Sequence, residues 1–573
     1  MLQLQSRNMI RLRFLQFLAM RQAYALRRAN RRNGELSMFE QQQFLANVRR
    51  AMASLLTMTI ALGPSVTPAF ASSAKPAAPA ASAAATPIQH LVVIFQENVS
   101  FDHYFGTYPN ALNPKGEPKF RAAANTPAVN GLSNALMNNN PNLNPANLTG
   151  ASNPFRLDRS QAVTPDQDHN YQAEQAAFDA GLMDLFPLDA GSGGSSIVMG
   201  YFDGNTVTGL WNYAQFFAMS DNSYGTTFGP STPGLLNLVS GQTNGTTATM
   251  NGTSNEVNGG SDGSLSVIGD PDPIGDVCSN PTRNQVTMGS KNIGDLLNAA
   301  GVTWGSFMGG FDLTVTNPNG TTGCKRSSAG LAGTTGDYIP HHSFFNYYTS
   351  TANLAHTRPG SLAEIGNAGP ANHQYDLHDF FTAAASGNLP AVSFVKAQAY
   401  QDGHAGYSDP LDEQTFLANT INFLETLPTW NSTAVVIMYD DSDGWYDHQM
   451  GPIVNTSTGP ADALTGPGAC GTAATALPGV NPANTHALGR CGYGPRLPLL
   501  VVSPWARQNF VDHTVTDQTS VTRFIEDNWL GGQRIGQGSF DAIASPINQM
   551  FDFSKLRNNG VLFLNPSTGE KVK

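Results

Sequence analysis

Two apolar stretches of this chain stop abruptly at side chains that bind cations or phosphate. The run Leu91–Phe95 is soon followed by Glu97 and Asn98, and a later apolar run ends at Asp440 and Asp441. Carboxylate and amide oxygens suit a divalent cation, and the amide NH2 suits a phosphate. Two adjacent carboxylates after a buried strand repel each other unless a cation or donors neutralise them. The alternative at each place is an ordinary polar turn, but two such ends side by side in one sheet would converge on one metal site.

A candidate nucleophile lies in the short segment Gly229–Gly234, which reads GPSTPG. Proline and glycine on both sides predict a rigid turn that presents Ser231. A hydroxyl becomes nucleophilic only beside a base or a metal that stabilises its alkoxide. An ordinary turn serine is the alternative, and Thr232 is a competing hydroxyl.

Several histidines stand in polar, loop-like surroundings. Imidazole binds phosphate oxygens or protonates a leaving alkoxide, so each is a candidate for the same site. The alternative for any one of them is a surface or hydrogen-bonded structural role. They are His169, His341, His342, His404 and His448.

The elements that must position these residues follow from the apolar pattern. Five runs have the length of strands: Leu91–Phe95, Val302–Met308, Ala391–Val395, Thr433–Tyr439 and Leu497–Val502. Helical spacing is found in three places: 288–300, Gln414–Leu427 and Thr519–Leu530. The second of these helices lies between two strands, and a strand–helix–strand unit implies a parallel sheet. The regions 109–165, 240–285 and 451–490 are expected to be loops or insertions, and the middle one a surface excursion that buries little.

Composition narrows the class of function. Charged residues make up 13% of the chain, and the net charge is -11. An acidic chain lacks the basic footprint of a nucleic-acid-binding protein, so no nucleic acid partner is expected. A phosphorylated substrate stays compatible, because a bound metal supplies local positive charge.

The N-terminal region has the pattern of an export signal. Arg49 and Arg50 precede the apolar run Ala51–Leu62, and Ala69–Ala71 fits a cleavage site before Ser72. The run is too short for a comfortable transmembrane helix, so no membrane anchor is expected in the mature chain. The arginine pair also fits a weak twin-arginine signal. These features predict a secreted or periplasmic protein.

The predicted organisation therefore has three parts. Residues 1–71 are a leader and export signal, with Met38 as an alternative start to Met1. Residues 72–86 are a flexible Ala/Pro linker, and residues 87–573 are the catalytic domain. The cysteines are even in number in an exported chain, which favours two disulfides. Proximity in sequence suggests Cys278 with Cys324 and Cys470 with Cys491, and four free thiols are the alternative.

The chain resembles the bacterial phosphoesterase family that contains secreted phospholipases C and an acid phosphatase branch. The resemblance runs in order from about residue 88 to 530. The matching blocks are HLVVIFQENVSFDHYFG, GPSTPGLLNLVSG, YIPHHSFF, HAGYSDP, WNSTAVVIMYDDSDGWYDH and GPRLPLLVVSPWARQNFVDHTVTDQTSVTRFIEDNW. It implies an α/β fold of the alkaline-phosphatase type, in which helices sandwich a mostly parallel central sheet.

The resemblance also implies roles for single residues. A divalent metal of unknown identity is expected on Glu97, Asn98, Asp440 and Asp441, with the nucleophile Ser231 close to it. The histidines at 169, 341, 342 and 404 are expected to line the phosphate pocket, and one of them to protonate the leaving group. The implied reaction is attack by the serine on phosphorus, a phosphoseryl intermediate, and hydrolysis of that intermediate by water.

Three positions depart from the family pattern. Val99 stands where many members carry Arg, Gly234-Leu235 stands where many carry Asn-Arg, and the acidic pair Asp440-Asp441 is often Asp-Glu. These changes bear on substrate preference more than on the chemistry. The expectation is an acid-phosphatase-like or phospholipase-C-like hydrolase of phosphomonoesters or phospholipids, with a phosphatidylcholine-preferring phospholipase C proper as the alternative. A sulfatase is disfavoured because its C/S-x-P-x-R turn lacks the Arg here, and a non-enzymatic secreted surface protein is the alternative from another class.

Overall fold

The computed structural model describes residues 84–259, 264–472, 476–481, 487–557 and 560–572. The predicted leader and its cleavage site lie outside the described residues. No helix in the described ranges is long and apolar enough to cross a membrane.

The core of the molecule is an eight-stranded sheet. Its strands in chain order are β1 His90–Gln96, β2 Ala218–Ser220, β3 Trp304–Met308, β4 Gln374–Asp376, β5 Val392–Lys396, β6 Thr433–Tyr439, β7 Leu499–Val502 and β8 Phe510–Asp512. Their order across the sheet is β4-β3-β5-β1-β6-β7-β2-β8. All five predicted apolar runs are strands of this sheet.

The direction of the strands divides the sheet. The five neighbours from β4 to β6 are mutually parallel. Strand β7 runs antiparallel to both β6 and β2, while β8 is parallel to β2. The α/β class is therefore confirmed, and the parallel arrangement holds for one continuous part of the sheet. The part of the β6–β7 connection that the structure describes contains no α-helix, and an antiparallel pair of strands needs no crossover.

Strands β1 and β6 are adjacent and lie deep in the molecule. All seven residues of β6 are buried, as are six of the seven in β1. Strands covered on both faces have continuous apolar sequences, which explains the two runs found in the sequence. Their register pairs Phe95 with Met438 and Gln96 with Tyr439. The polar residues that follow the two strands therefore emerge side by side at the carboxyl edge of the sheet.

Ten α-helices accompany the sheet in the described residues. They are α1 Phe101–Phe105, α2 Asn134–Asn138, α3 Tyr171–Phe178, α4 Phe186–Asp189, α5 Thr208–Phe216, α6 Ser231–Ser240, α7 Ile293–Ala300, α8 Leu377–Ala385, α9 Pro410–Glu425 and α10 Thr519–Trp529. Helix α9 connects β5 to β6 and confirms the predicted strand–helix–strand unit. It begins before the predicted Gln414, because the Asp409 carboxylate caps the N–H groups of Leu411 and Asp412.

The expectation that the region 240–285 is a surface excursion that buries little was wrong in part. Short strands in the region 240–285 form two small sheets, one of which includes Gln285–Met288. Val267 and Val286 from these strands are buried in the main core, so the region contributes to packing. The other paired segments are Phe155–Leu157 with Gly200–Phe202, Ser223–Tyr224 with Thr516–Asp517, and Ser327–Gly330 with Gly333–Gly336. The small-sheet strands within 240–285 are Thr246–Thr249, Val257–Gly259, Leu265–Val267 and Asp272–Pro273.

Both predicted disulfides are present. Cys278 is bonded to Cys324, and Cys470 is bonded to Cys491. The first encloses helix α7 and strand β3, and the second lies within the connection from β6 to β7.

Candidate active site

Three elements deliver oxygen-bearing side chains to one buried point. Glu97 and Asn98 follow β1, Asp440 and Asp441 follow β6, and Ser231 is the first residue of α6. All five residues are at most 2% exposed. The candidate residues predicted from the sequence therefore lie where the carboxyl edge of the sheet meets the start of helix α6.

The serine hydroxyl faces the carboxylates. Ser231 Oγ donates a hydrogen bond to Glu97 Oε2 at 2.9 Å and lies 3.4 Å from Asp441 Oδ2. Oxygens of Glu97, Asp440 and Asp441 all lie within 4.8 Å of one another. The backbone N–H of Asn98 donates to Asp440 Oδ1 at 3.3 Å, which joins the two strand ends.

The neighbouring hydroxyl is engaged elsewhere. Thr232 Oγ1 donates to the backbone oxygen of His341 at 3.2 Å and lies 3.5 Å from the Tyr347 hydroxyl. Of the two hydroxyls in the turn, Ser231 is thus the one that faces the carboxylates.

These oxygens fit a divalent cation. The side-chain oxygen Asn98 Oδ1 and the carboxylate oxygen Asp440 Oδ2 are both buried without a hydrogen-bond partner. Burial, and then the charge of Asp440, raise the pKa of the Asp441 carboxyl well above its usual value. Buried like charges with unpartnered oxygens need a compensating cation, and a set of carboxylate, amide and hydroxyl oxygens is the set that hard cations such as Mg²⁺, Ca²⁺ or Mn²⁺ prefer.

The local backbone explains how the serine is presented. Gly229 has φ +115°, a conformation that favours glycine, and Pro230 precedes the first turn of α6. The start of a helix also attracts negative charge, so an anionic group on the serine is favoured there. Further along the turn, a Cβ placed on Gly234 would lie 2.3 Å from the Asp440 carbonyl oxygen. Glycine at 234 is therefore required for helix α6 to approach this strand end.

Two of the predicted histidines lie on the Asn98 side of the site. His169 Nε2 is 3.3 Å from the Asn98 amide nitrogen, and its Nδ1 is 3.3 Å from Asp443 Oδ1. Burial lowers the pKa of His169, but the charges of Asp441 and Asp443 outweigh it and the net shift is upward. The ring of His404 lies 5.6 Å from that of His169. Burial, and then the charge of His169, lower the pKa of His404 to about 4.

The other two lie on the Glu97 side. His342 Nδ1 is 3.2 Å from Glu97 Oε1, and burial, then the neighbouring His341, lower its pKa well below the usual value. The ring of His341 packs 4.6 Å from that of His342, and its Nδ1 lies 3.5 Å from Asp272 Oδ1. Four of the five candidate histidines thus gather around the carboxylates and the serine.

His448 belongs to a different cluster. Its Nδ1 is 2.6 Å from Asp102 Oδ2, and the buried Arg496 pairs with both Asp102 and Asp447. This group ties the segment after β1 to the segment after β6. His448 therefore takes the alternative role, that of a hydrogen-bonded histidine in a structural network.

Sequence reasoning missed two charged residues of the site. Lys396, the last residue of β5, is 2% exposed and contacts Glu97 Oε1. Asp402, which follows in the next loop, is buried, and burial raises its pKa to about 8. The available signal was the apolar run Ala391–Val395, because the residue that follows it is Lys396, at the same carboxyl edge as Glu97.

Val99, which departs from the family pattern, is buried in the main hydrophobic core.

A cavity of about 700 Å³ borders the nucleophile turn, and its lining includes Asp168, Glu256, Asp270 and Arg283. It is joined to the turn by a hydrogen bond of 2.8 Å from the Thr232 N–H to Asp270 Oδ1.

Comparison with known proteins gives consistent matches. The model of the Phosphoesterase family matches residues 88–530. A non-hemolytic phospholipase C of Burkholderia pseudomallei is 26% identical over 457 residues, covering 77% of this chain and 55% of that protein. The hemolytic phospholipase C of Pseudomonas aeruginosa is 24% identical, with 81% and 56% covered, and phospholipase C A of Mycobacterium tuberculosis is 24% identical, with 77% and 72% covered. The chain thus spans about half the length of the first two relatives.

Among solved structures, human ectonucleotide pyrophosphatase/phosphodiesterase 5 matches with 11% identity and a TM-score of 0.28, over 60% of this chain and 94% of that one. A likeness at that score supports no detailed argument about the fold. The family match, by contrast, agrees with the predicted class of phosphoric ester hydrolases.

Proposed function

The chain belongs to the Phosphoesterase family, and on that basis we propose that it is a metal-dependent phosphoric ester hydrolase acting through a phosphoseryl intermediate on Ser231. One observation carries the proposal: Ser231 Oγ lies between oxygens of Glu97 and Asp441, at 2.9 Å and 3.4 Å, at the start of a helix. A buried serine in this position has the acidic neighbours that a cation would bridge and the helix terminus that an anion prefers.

The metal would be held by Glu97, Asn98, Asp440 and Asp441, with Ser231 beside them. When bound, it lowers the pKa of the serine hydroxyl and stabilises negative charge on the phosphoryl oxygens. The chain's own contribution is to fix the oxygens in a buried cradle and to aim the hydroxyl at them. The unpartnered oxygens of Asn98 and Asp440 support this assignment.

The reaction proceeds in two displacements. Ser231 Oγ attacks phosphorus, the Oγ–P bond forms, and the bond from phosphorus to the leaving oxygen breaks. The four histidines bind the phosphoryl oxygens, and one of them protonates the leaving alkoxide. Water then attacks phosphorus, the Oγ–P bond breaks, and the serine oxygen regains a proton from that water as the phosphate product leaves.

The substrate class is a phosphomonoester or a phospholipid. The acidic pair Asp440-Asp441 and the nucleophile Ser231 favour the acid-phosphatase-like branch. The names of the relatives favour a phospholipase C proper. The proposal includes export from the cytoplasm, which the two disulfides support because such bonds persist in oxidising compartments. It also includes a catalytic domain over residues 87–573 with the alkaline-phosphatase type of fold.

The test uses the purified protein with p-nitrophenyl phosphate and, separately, phosphatidylcholine. Ser231→Ala is expected to abolish turnover, whereas Thr232→Ser, which keeps the hydroxyl, is the matched control and retains it. Phosphoserine at 231, trapped by acid quench and detected by mass spectrometry, would identify the intermediate. Undiminished turnover in Ser231→Ala would refute the mechanism.

Two further measurements separate the alternatives. Elemental analysis that finds no metal, together with activity that survives a chelator, would refute metal dependence. Absence of both metal and turnover would favour the non-enzymatic surface protein. Release of diacylglycerol from phosphatidylcholine would favour phospholipase C, and acid-optimum hydrolysis of many monoesters would favour the phosphatase.

A further inference from the structure

Lys396 is the one lysine that the described part of the chain buries. It ends strand β5, which pairs directly with β1, and its ammonium group points at the residue that follows β1. A buried ammonium is costly unless it is paired and hydrogen-bonded. Its partner is Glu97, so the cost is offset inside the proposed catalytic centre and not at the protein surface.

The contacts of Glu97 divide its two oxygens. Lys396 Nζ contacts Oε1, and His342 Nδ1 lies 3.2 Å from the same oxygen. Oε2, by contrast, accepts the hydrogen bond from Ser231 Oγ at 2.9 Å. One oxygen of Glu97 therefore lies beside two nitrogen atoms, and the other faces the nucleophile.

Packing fixes the lysine as well as the carboxylate. The ammonium nitrogen lies 5.8 Å from the centre of the Phe95 ring, within reach of a cation–π interaction. Asp402, Asp440 and Asp441 are close enough to act electrostatically on Lys396. The ammonium thus lies within a group of carboxylates.

We propose that Lys396 is a positioning residue that holds Glu97 by Oε1 and leaves Oε2 alone for the nucleophile and the metal. The proposal rests on the proposed function for the identity of the nucleophile. If Glu97 bound the metal through both carboxylate oxygens, Oε2 would no longer be available to accept the hydrogen bond that orients Ser231 Oγ. The lysine therefore sets how the carboxylate is presented and acts on the reaction through Glu97.

This role predicts that replacing Lys396 changes cation affinity and turnover in opposite directions. Replacing Lys396 with Met removes the ammonium from Oε1 and with it one positive charge beside the metal site, so a divalent cation should bind more tightly. Turnover should fall nonetheless, because the hydroxyl loses its fixed acceptor. If Lys396 only supported the fold, its replacement would weaken cation binding and lower turnover together.

The experiment compares Lys396→Met, Lys396→Gln and the surface control Lys291→Met in the full chain. Mn²⁺ binding is measured by calorimetry on the metal-free proteins, and kcat and KM with p-nitrophenyl phosphate on the loaded proteins. In Lys396→Met we expect Mn²⁺ binding about tenfold tighter and kcat about 100-fold lower with little change in KM. Lys396→Gln keeps an N–H donor for Oε1 and should recover part of kcat, while Lys291→Met should match the parent protein.

Weaker Mn²⁺ binding in both Lys396 variants, or an unchanged kcat, would overturn the proposal. Equal loss of kcat in the Gln and Met variants would overturn the positioning role as well. If the Met variant does not fold, the Gln variant decides by the same two readouts. Should the parent protein hydrolyse no phosphoric ester, the proposed function fails, but the Mn²⁺ measurements still test whether the lysine opposes cation binding.

Discussion

Replacing Gly234 with Ala should move the nucleophile away from the carboxylates. The added methyl would lie 2.3 Å from the Asp440 carbonyl oxygen and 2.8 Å from its carbonyl carbon. That oxygen also accepts a hydrogen bond of 2.6 Å from Gln518 Nε2, so the strand end cannot withdraw without losing it. Relief to ordinary van der Waals distance requires the start of α6 to shift by about 1 Å, and this turn carries Ser231.

Two energies of opposite sign apply to this substitution. Alanine in a helix is more favourable than glycine by about 1 kcal/mol, which would stabilise the protein. Overpacking against a rigid backbone costs about 1–3 kcal/mol, so a net destabilisation is expected. The catalytic effect should be larger, since a displacement of about 1 Å in a reacting group lowers the rate by about 100-fold.

The assay pairs thermal unfolding with kcat/KM for p-nitrophenyl phosphate. Gly336→Ala is the matched control, because the nearest atoms to its added methyl are 3.8 Å and 4.0 Å away and it lies in a surface hairpin. We expect Gly234→Ala to lose activity about 100-fold with a small fall in melting temperature. Parental activity and stability in this variant would refute the close approach of the helix to the strand end.

Two further predictions concern stability away from the nucleophile. Arg496→Met should lower the free energy of unfolding by about 3–5 kcal/mol, because the buried carboxylates of Asp102 and Asp447 lose the guanidinium that pairs with both of them. Denaturant titration with the exposed Arg121→Met as control checks this, and equal stability of the two variants would contradict it. Burial raises the pKa of Glu425 to about 7 from 4.5, so its contribution to stability is fully present below pH 4.5 and is lost as the pH rises through 7. Glu425→Gln should therefore flatten the fall in melting temperature between pH 5 and pH 8, and an unchanged slope would show that this carboxyl does not control it.

The strands of the site were readable from the sequence because burial on both faces leaves a continuous apolar run. The runs before Glu97 and Asp440 are of this kind, and their register confirms that the two strands are neighbours. The direction of β7 was not readable, since an apolar run looks the same in either direction. The small sheets of the region 240–285 were missed because Thr- and Gly-rich segments acquire their order from partners distant in sequence.

Side-chain direction was the other limit. Ser231 and Thr232 are adjacent hydroxyls in one turn, and nothing in their types says which one faces the carboxylates. The structure distinguishes them because Thr232 bonds to the backbone of His341 while Ser231 bonds to Glu97. Lys396 was missed for a related reason: a lysine at a strand end is usually solvated, and its burial follows from the neighbouring strand.

Two of the three departures from the family pattern, at Val99 and Gly234, affect the wall of the site and not its oxygens. Val99 is packed in the hydrophobic core, and its backbone N–H donates to the Asp441 carbonyl at 3.0 Å, so an apolar side chain here leaves the junction of the strand ends intact. Gly234 has no side chain, and this lets α6 pack closely on Asp440. Both positions therefore carry less polar surface than the Arg and Asn of the family pattern while the cradle of Glu97 and Asp441 is retained. Differences in substrate preference from relatives should accordingly arise at these two positions, and hydrolysis itself should not depend on the missing groups.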